Sequence, residues 1–279
     1  MVKLFCAAAL ALLSLPALAQ ECPIITNTNS ILRQAPGPGF AQIGTIPAGT
    51  TVPVEVCFDR GSFCAVTSPA GAGFVSGDLL ALRSGETLRS LEMARWAKID
   101  ADEAAGPSAI DRCNIVVWGD NLSTGTFGPD LSRLLGRSVS MQGVAGEDGK
   151  AIAARMLADI RYDGRIAVIW DRHADNQSVD QYLADLAPMV EKARSTASPF
   201  VIISDIADLD GSATVPAEAD VAKTAEINNA LRVKYPANYL DVTAALADPA
   251  TRSDGLELSP LGQSAVAGAI AAFIQQKGW

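Results

Sequence analysis

The chain has 279 residues, 49% of them hydrophobic and 19% charged, with a formal net charge of −9. That length and apolar content suffice for one or two domains with a large core. The acidity argues against nucleic acid and anionic membrane surfaces as partners, because both reward clustered Lys and Arg.

The chain opens with an export signal. Lys3 supplies a positive start, residues 4–15 form a short apolar run, and Ala17-Leu18-Ala19 is a small-x-small cleavage site. Residues 1–19 are therefore expected to be a signal peptide cleaved after Ala19. A transmembrane anchor is the competing reading, but the run is too short to span a bilayer and no second run approaches the required length. Cys22 follows Gln20 and Glu21, not the small residues of a lipoprotein signal. The expectation is a soluble periplasmic or secreted protein with no membrane span.

Residues 30–80 are short β-branched runs punctuated by turns: a Pro-Gly turn at 35–40, then Ile43-Gly44-Thr45-Ile46-Pro47-Ala48-Gly49-Thr50, then residues 52–58. Such spacing predicts a small all-β barrel over residues 20–82. The order of these pieces, closed by Gly73-Phe74-Val75-Ser76-Gly77-Asp78-Leu79-Leu80, resembles bacterial SH3-like domains. The resemblance implies either binding of cell-wall peptides or a spacer role.

Cys57 and Cys64 flank a hairpin-length turn containing Gly61, so the two thiols are expected on adjacent strands. With Cys6 in the leader, four cysteines remain in an oxidising compartment and allow three pairings. Cys57 with Cys64 and Cys22 with Cys113 are favoured, the second pair tying the mature N-terminus to the larger domain. No Cys-x-x-Cys redox arrangement and no Cys or His ladder of zinc spacing occurs, so neither a metal nor a cofactor is expected.

Residues 83–112 form a connector in which Leu88, Leu91, Trp96 and Ile99 fall near helical spacing before Gly106-Pro107 ends the helix. From residue 113 onward apolar strands at 115–118, 138–142, 165–170, 200–204 and 238–242 alternate with helices at 149–160, 179–194 and 217–235. A last helix starts with Ser259 as N-cap and Pro260 at its first position. This alternation specifies a parallel sheet covered by helices on both faces, with ligands at the carboxyl ends of the strands.

The first of those ends reads Val116-Val117-Trp118-Gly119-Asp120-Asn121-Leu122-Ser123. It resembles block I of the SGNH (GDSL) hydrolases, whose first strand delivers a nucleophilic Ser on a Gly-Asp-Ser-Leu turn. The resemblance covers residues 113–279 and implies a flavodoxin-like α/β fold. Gly143, in Gln142-Gly143-Val144-Ala145-Gly146-Glu147, matches the block II glycine that lends a backbone N–H to the oxyanion hole. In the ungapped block III register, Arg172 replaces a Gly and Ala174 replaces the oxyanion-binding Asn; a slipped register offers Asn176 instead. In block V, normally Asp-x-x-His, Asp254 is kept and Glu257 stands where the general base belongs.

A carboxamide at Asn121 cannot attack an ester, and without a neutral imidazole no Ser hydroxyl would lose its proton. Ser123 is two positions past the turn and reads as an ordinary helix-start Ser. His173, the sole histidine, is the best surviving acid or base. Asp120, Asp254, Glu257 and Asp175 are expected to converge at the pocket mouth, as an acid–base pair or as ligands for a hard cation such as calcium.

The reading is thus an exported pseudo-hydrolase that binds an envelope glycan or peptide through Asp120, Asn121, Gly143, His173, Asn176, Asp254 and Glu257 without cleaving it. The alternatives are a hydrolase acting on acylated saccharides through a rearranged site (Asp120, His173, Asp254, Glu257) and a structural spacer. No oligomeric state is encoded legibly.

Overall fold

The computed structural model describes residues 24–124, 127–174, 176–208, 217–253 and 257–279. The leader, Cys22, Asp175 and Asp254 therefore lie outside the described residues.

The N-terminal part is built from strands β1 (Ile25–Thr26), β2 (Ser30–Arg33), β3 (Gln42–Ile46), β4 (Val54–Phe58), β5 (Phe63–Ser68), β6 (Gly71–Ser76) and β7 (Leu80–Ala81). Five of them form an antiparallel sheet in the order β3-β2-β6-β5-β4, and β1 pairs with β7. Cys57 and Cys64 face each other directly across the β4–β5 ladder and are disulfide-bonded. The connecting turn is possible because Asp59, Arg60 and Gly61 all take positive φ (46°, 52° and 87°), the backbone that short polar residues and glycine tolerate best. Cys113 is also disulfide-bonded, and its expected partner Cys22 lies outside the described residues.

The stretch read as a connector contains two helices, α1 (Leu88–Asp100) and α2 (Ala109–Cys113), and it does more than connect. Leu88, Ala109, Ile110 and Cys113 are buried in one cluster with Leu32, Val54, Val66 and Val75, so the helices complete the core of the antiparallel sheet. A sheet of this size has too little apolar surface of its own to close a core. The capping box at Ser108 and Asp111 fixes the start of α2.

The remaining chain alternates β8 (Ile115–Gly119), α3 (Phe127–Leu135), β9 (Val139–Gly143), α4 (Gly149–Ala158), β10 (Ile166–Trp170), α5 (Val179–Ser195), β11 (Phe200–Ile203), α6 (Glu218–Lys234), β12 (Tyr239–Leu240) and α7 (Pro260–Lys277). The five strands are parallel in the order β12-β11-β10-β8-β9, a flavodoxin-like sheet. Strand residues point alternately to the two faces. Val117, Val168 and Trp170 pack with Phe127 of α3 and Ile270 of α7, while Val116, Trp118 and Ile169 pack with Ile152 of α4, Tyr182 of α5 and Ile227 of α6. Burial on both faces explains why β8 and β10 read as continuous apolar runs. The strand order reverses between β8 and β10, which puts the topological switch point beside the turn that carries Asn121.

Candidate functional site

β8 ends at Gly119, where any side chain would clash: a Cβ would lie 2.1 Å from the Trp170 carbonyl and 2.2 Å from Ser123 Oγ. The chain then turns through Asp120 into a single 3-10 turn, Asn121–Ser123. Asp120 is buried, and its Oδ1 accepts the Leu122 N–H at 3.2 Å. Asn121 Oδ1 accepts the Gly146 N–H at 2.7 Å, which ties this turn to the loop after β9. Ser123 is fully buried beneath Gly119 and Gly143, and no hydrogen-bond partner reaches its Oγ among the described residues. Gly143 is required by close approach, since a Cβ there would sit 2.2 Å from the Ser123 carbonyl carbon.

The loop after β10 supplies Asp171, Arg172 and His173. Arg172 Nε lies 3.5 Å from Asp120 Oδ2, and its Nη1 pairs with Asp208. Burial raises the carboxyl of Asp120 above its ordinary range, and the Arg172 guanidinium opposes that rise. His173 is clamped on both sides: Nδ1 is 2.7 Å from Asp205 Oδ2, and Nε2 is 3.0 Å from Asp220 Oδ1. The hydrogen bond that the imidazole donates to Asp205 raises it above 6.5, against the opposing effect of burial.

Asp205 follows β11 and is fully buried; its backbone N–H and carbonyl are both held by the Asn228 side chain of α6 at 2.8 and 2.9 Å. Asp220 sits in the first turn of α6 and accepts the Asp208 N–H at 2.6 Å. The result is a linked lattice, Asp120–Arg172–Asp208–Asp220–His173–Asp205, across the carboxyl ends of β8, β10 and β11, in which the Asp208–Asp220 link runs from a backbone N–H to a carboxylate.

Asp171 stands apart from that lattice. It is 2% exposed, neither carboxylate oxygen has a hydrogen-bond partner among the described residues, and Oδ2 faces Gly149 at the start of α4. Burial, with Asp120 and Asp205 nearby, pushes its carboxyl far above the ordinary range and so favours the neutral acid.

Asn121, Asp120, Gly143 and His173 thus all lie around the β8, β9 and β10 ends. Asn176 is an exposed turn residue with φ 61°, and the Ala174 N–H donates to Gln177 Oε1 at 3.0 Å. Glu257 is exposed, and its carbonyl accepts the Ser253 N–H at 3.1 Å. Among the described residues, no group of three or more His, Cys, Asp or Glu side chains is arranged to hold a metal ion, and no helix is long and apolar enough to cross a membrane. Sequence reading missed Asp171, Asp205, Asp208 and Asp220. The available signal for Asp171 and Asp205 was an acid at the end of a buried apolar strand, Ile169-Trp170-Asp171 and Ile203-Ser204-Asp205.

No family model and no curated protein matches the chain. Solved structures do. The fold is similar to that of a candidate acylhydrolase from Bacteroides fragilis, with a TM-score of 0.51 and 17% identity over 67% of this chain and 97% of that one. It is also similar to a candidate lipolytic protein of the G-D-S-L family from Desulfitobacterium hafniense, with a TM-score of 0.50 and 15% identity over 58% of this chain and 99% of that one. At such identities the likeness is one of fold: the chain carries an SGNH-type α/β fold.

Proposed function

We propose that this protein is an exported, non-hydrolytic member of the SGNH fold that binds a cell-envelope glycan or peptide at the carboxyl ends of β8, β9 and β10. In this reading residues 1–19 are a cleaved signal, residues 20–82 an SH3-like barrel, and residues 113–279 the ligand-binding α/β domain. One observation carries it. The turn that would present a nucleophile presents Asn121, whose amide oxygen is bound by Gly146, and the chain's single imidazole has both ring nitrogens bound by carboxylates. A triad needs a hydroxyl or thiol and a base with a free nitrogen in hydrogen-bond reach of it. Among the described residues, the Asn121 turn and His173 offer neither.

The polar groups that remain at the strand ends suit recognition. Arg172, half-buried and held by Asp120 and Asp208, offers a charged donor at a switch point, where parallel sheets generally take their ligands. The test is co-sedimentation of the purified protein with insoluble peptidoglycan, with free acetate measured in the same tubes. The reading expects saturable binding and no acetate above the protein-free control. Acetate release would make the protein an esterase, and absence of binding would leave a structural spacer.

A further inference from the structure

At the end of the parallel sheet opposite Asn121, a cleft of about 430 Å³ lies between β4, α1, the start of α2 and the residue preceding β10. Its volume falls within the range of small-molecule sites. Four arginines and four carboxylates line it, together with the indole of Trp96. Arg60 and Arg95 flank that ring, their guanidinium carbons 5.4 and 5.9 Å from its centroid. Arg60 also pairs with Asp100 at 2.9 Å, and Arg95 Nε donates to the Gly106 carbonyl at 3.1 Å.

Two charged groups in this wall are incompletely matched, and both are buried. Glu92 is 6% exposed; its Oε2 lies 3.6 Å from Arg95 Nη1, while its Oε1 has no hydrogen-bond partner among the described residues. Arg165 is also 6% exposed; its Nη1 pairs with Glu55 Oε1 at 3.2 Å, while its Nε has no hydrogen-bond partner among the described residues, with Asp111 Oδ1 standing 3.8 Å away. Buried polar atoms of this kind are nearly always satisfied, by protein, water or ligand. Their opposite signs discriminate among ligands. A plain anion would serve Arg165 but add to four carboxylates and leave Glu92 Oε1 unsatisfied, and a plain cation would do the reverse.

We infer that this cleft binds a small zwitterion, an amino acid or short peptide with free termini, whose carboxylate is taken by Arg165 and whose ammonium is taken by Glu92, with Trp96 as the wall between the arginines. Burial already raises the Glu92 carboxyl, and an ammonium beside it would relieve that cost. The cleft shares no residue with the Asn121 site, so it stands or falls independently of the function proposed there.

The experiment is calorimetric titration of the purified protein with alanyl-alanine, N-acetyl-alanyl-alanine, alanyl-alanine amide and inorganic phosphate. The free dipeptide should bind, and each capped form should bind about tenfold to a hundredfold more weakly, the usual effect of losing one charged hydrogen-bond pair. Glu92→Gln should erase the difference between the free and acetylated dipeptides while the circular dichroism spectrum stays unchanged. Should Glu92→Gln fail to fold, the emission change on adding dipeptide, lost in Trp96→Phe, reports binding at this cleft. Equal binding of all three peptides, preference for phosphate, or no binding of the dipeptide up to about 10 mM overturns the inference.

Discussion

The Nδ1 atom of His173 lies 2.7 Å from Oδ2 of Asp205, a carboxylate with no solvent exposure at all. A buried acid in contact with an imidazole favours the imidazolium, and Asp220 at 3.0 Å from Nε2 adds to that preference. Because His173 is the only histidine, its ring gives a single, unambiguous NMR titration. The midpoint should lie above 6.5, and Asp205→Asn should bring it down. A midpoint at or below 6.5 in the intact protein would contradict the clamped geometry.

Stability should follow the same ring. A histidine whose folded value is raised contributes stability below its unfolded value, and that contribution is lost as pH rises through the folded value. Asp171 acts in the same direction. Its folded value lies far above 3.8, so the unfolded chain ionises first and stability declines as pH climbs from about 4 toward that folded value. Denaturation midpoints should therefore fall between about pH 5 and pH 8, and Asp171→Asn should flatten the decline. His173→Ala, which strands Asp205, should cost about 3 kcal/mol or more. A midpoint that rises across this window would sink the assignment of both groups.

Gly143 is held against the Ser123 backbone with no room for a methyl group. Gly143→Ala should destabilise the protein by about 3 kcal/mol or leave it insoluble, because the obstruction is backbone and cannot rotate away. Gly146→Ala is a useful contrast, since nothing lies within 4 Å of a Cβ there and only its φ of +80° opposes the change. Urea denaturation of the two variants should rank them in that order.

The hairpin disulfide gives a separate stability prediction. Cys57 and Cys64 are seven residues apart, so the loop closed is short and replacing the pair by Ser and Ala should cost about 2 to 3 kcal/mol. Non-reducing peptide mapping should recover Cys57 joined to Cys64. A Cys57 peptide joined to anything else would contradict the β4–β5 register.

Much of this architecture was legible in the sequence, for identifiable reasons. β8 and β10 are apolar at every position because both faces are covered, and Ser259-Pro260 announces α7 through cap chemistry alone. The turn at Asn121 was legible because Gly119 admits no substitute. The start of α3 was not: Ser123 reads as a helix start, but a single 3-10 turn stands there and α3 begins at Phe127. Nor was the lattice of Arg172, His173, Asp205, Asp208 and Asp220 apparent. Its members are brought together by the β10–β11 pairing and the start of α6, and pairing between distant charges leaves no period in the chain. The packing of α1 and α2 into the antiparallel core was hidden for a similar reason: Leu88 reads as part of a helix face without naming what it faces, and the five-residue α2 that carries Ile110 is too short to show a period.

Activity can be sought deliberately. Asn121→Ser alone should yield no esterase, because the hydroxyl would still lack a base: His173 stays bound between Asp205 and Asp220. Adding Glu257→His supplies the missing residue type, and hydrolysis of p-nitrophenyl acetate should then appear weakly if the scaffold holds it near the turn. Ala174→Asn on top of both should raise the rate about a hundredfold, the usual worth of one oxyanion donor. High activity from the single Asn121→Ser change would mean that another base is already in place.

The most direct measurement is reaction of the purified, unmodified protein with a fluorophosphonate serine probe, read by intact mass and peptide mapping, alongside hydrolysis of short p-nitrophenyl esters. With Asn121 on the turn and Ser123 buried, the account predicts no adduct and no hydrolysis above background. A stoichiometric adduct on any serine, with matching ester turnover, would contradict it.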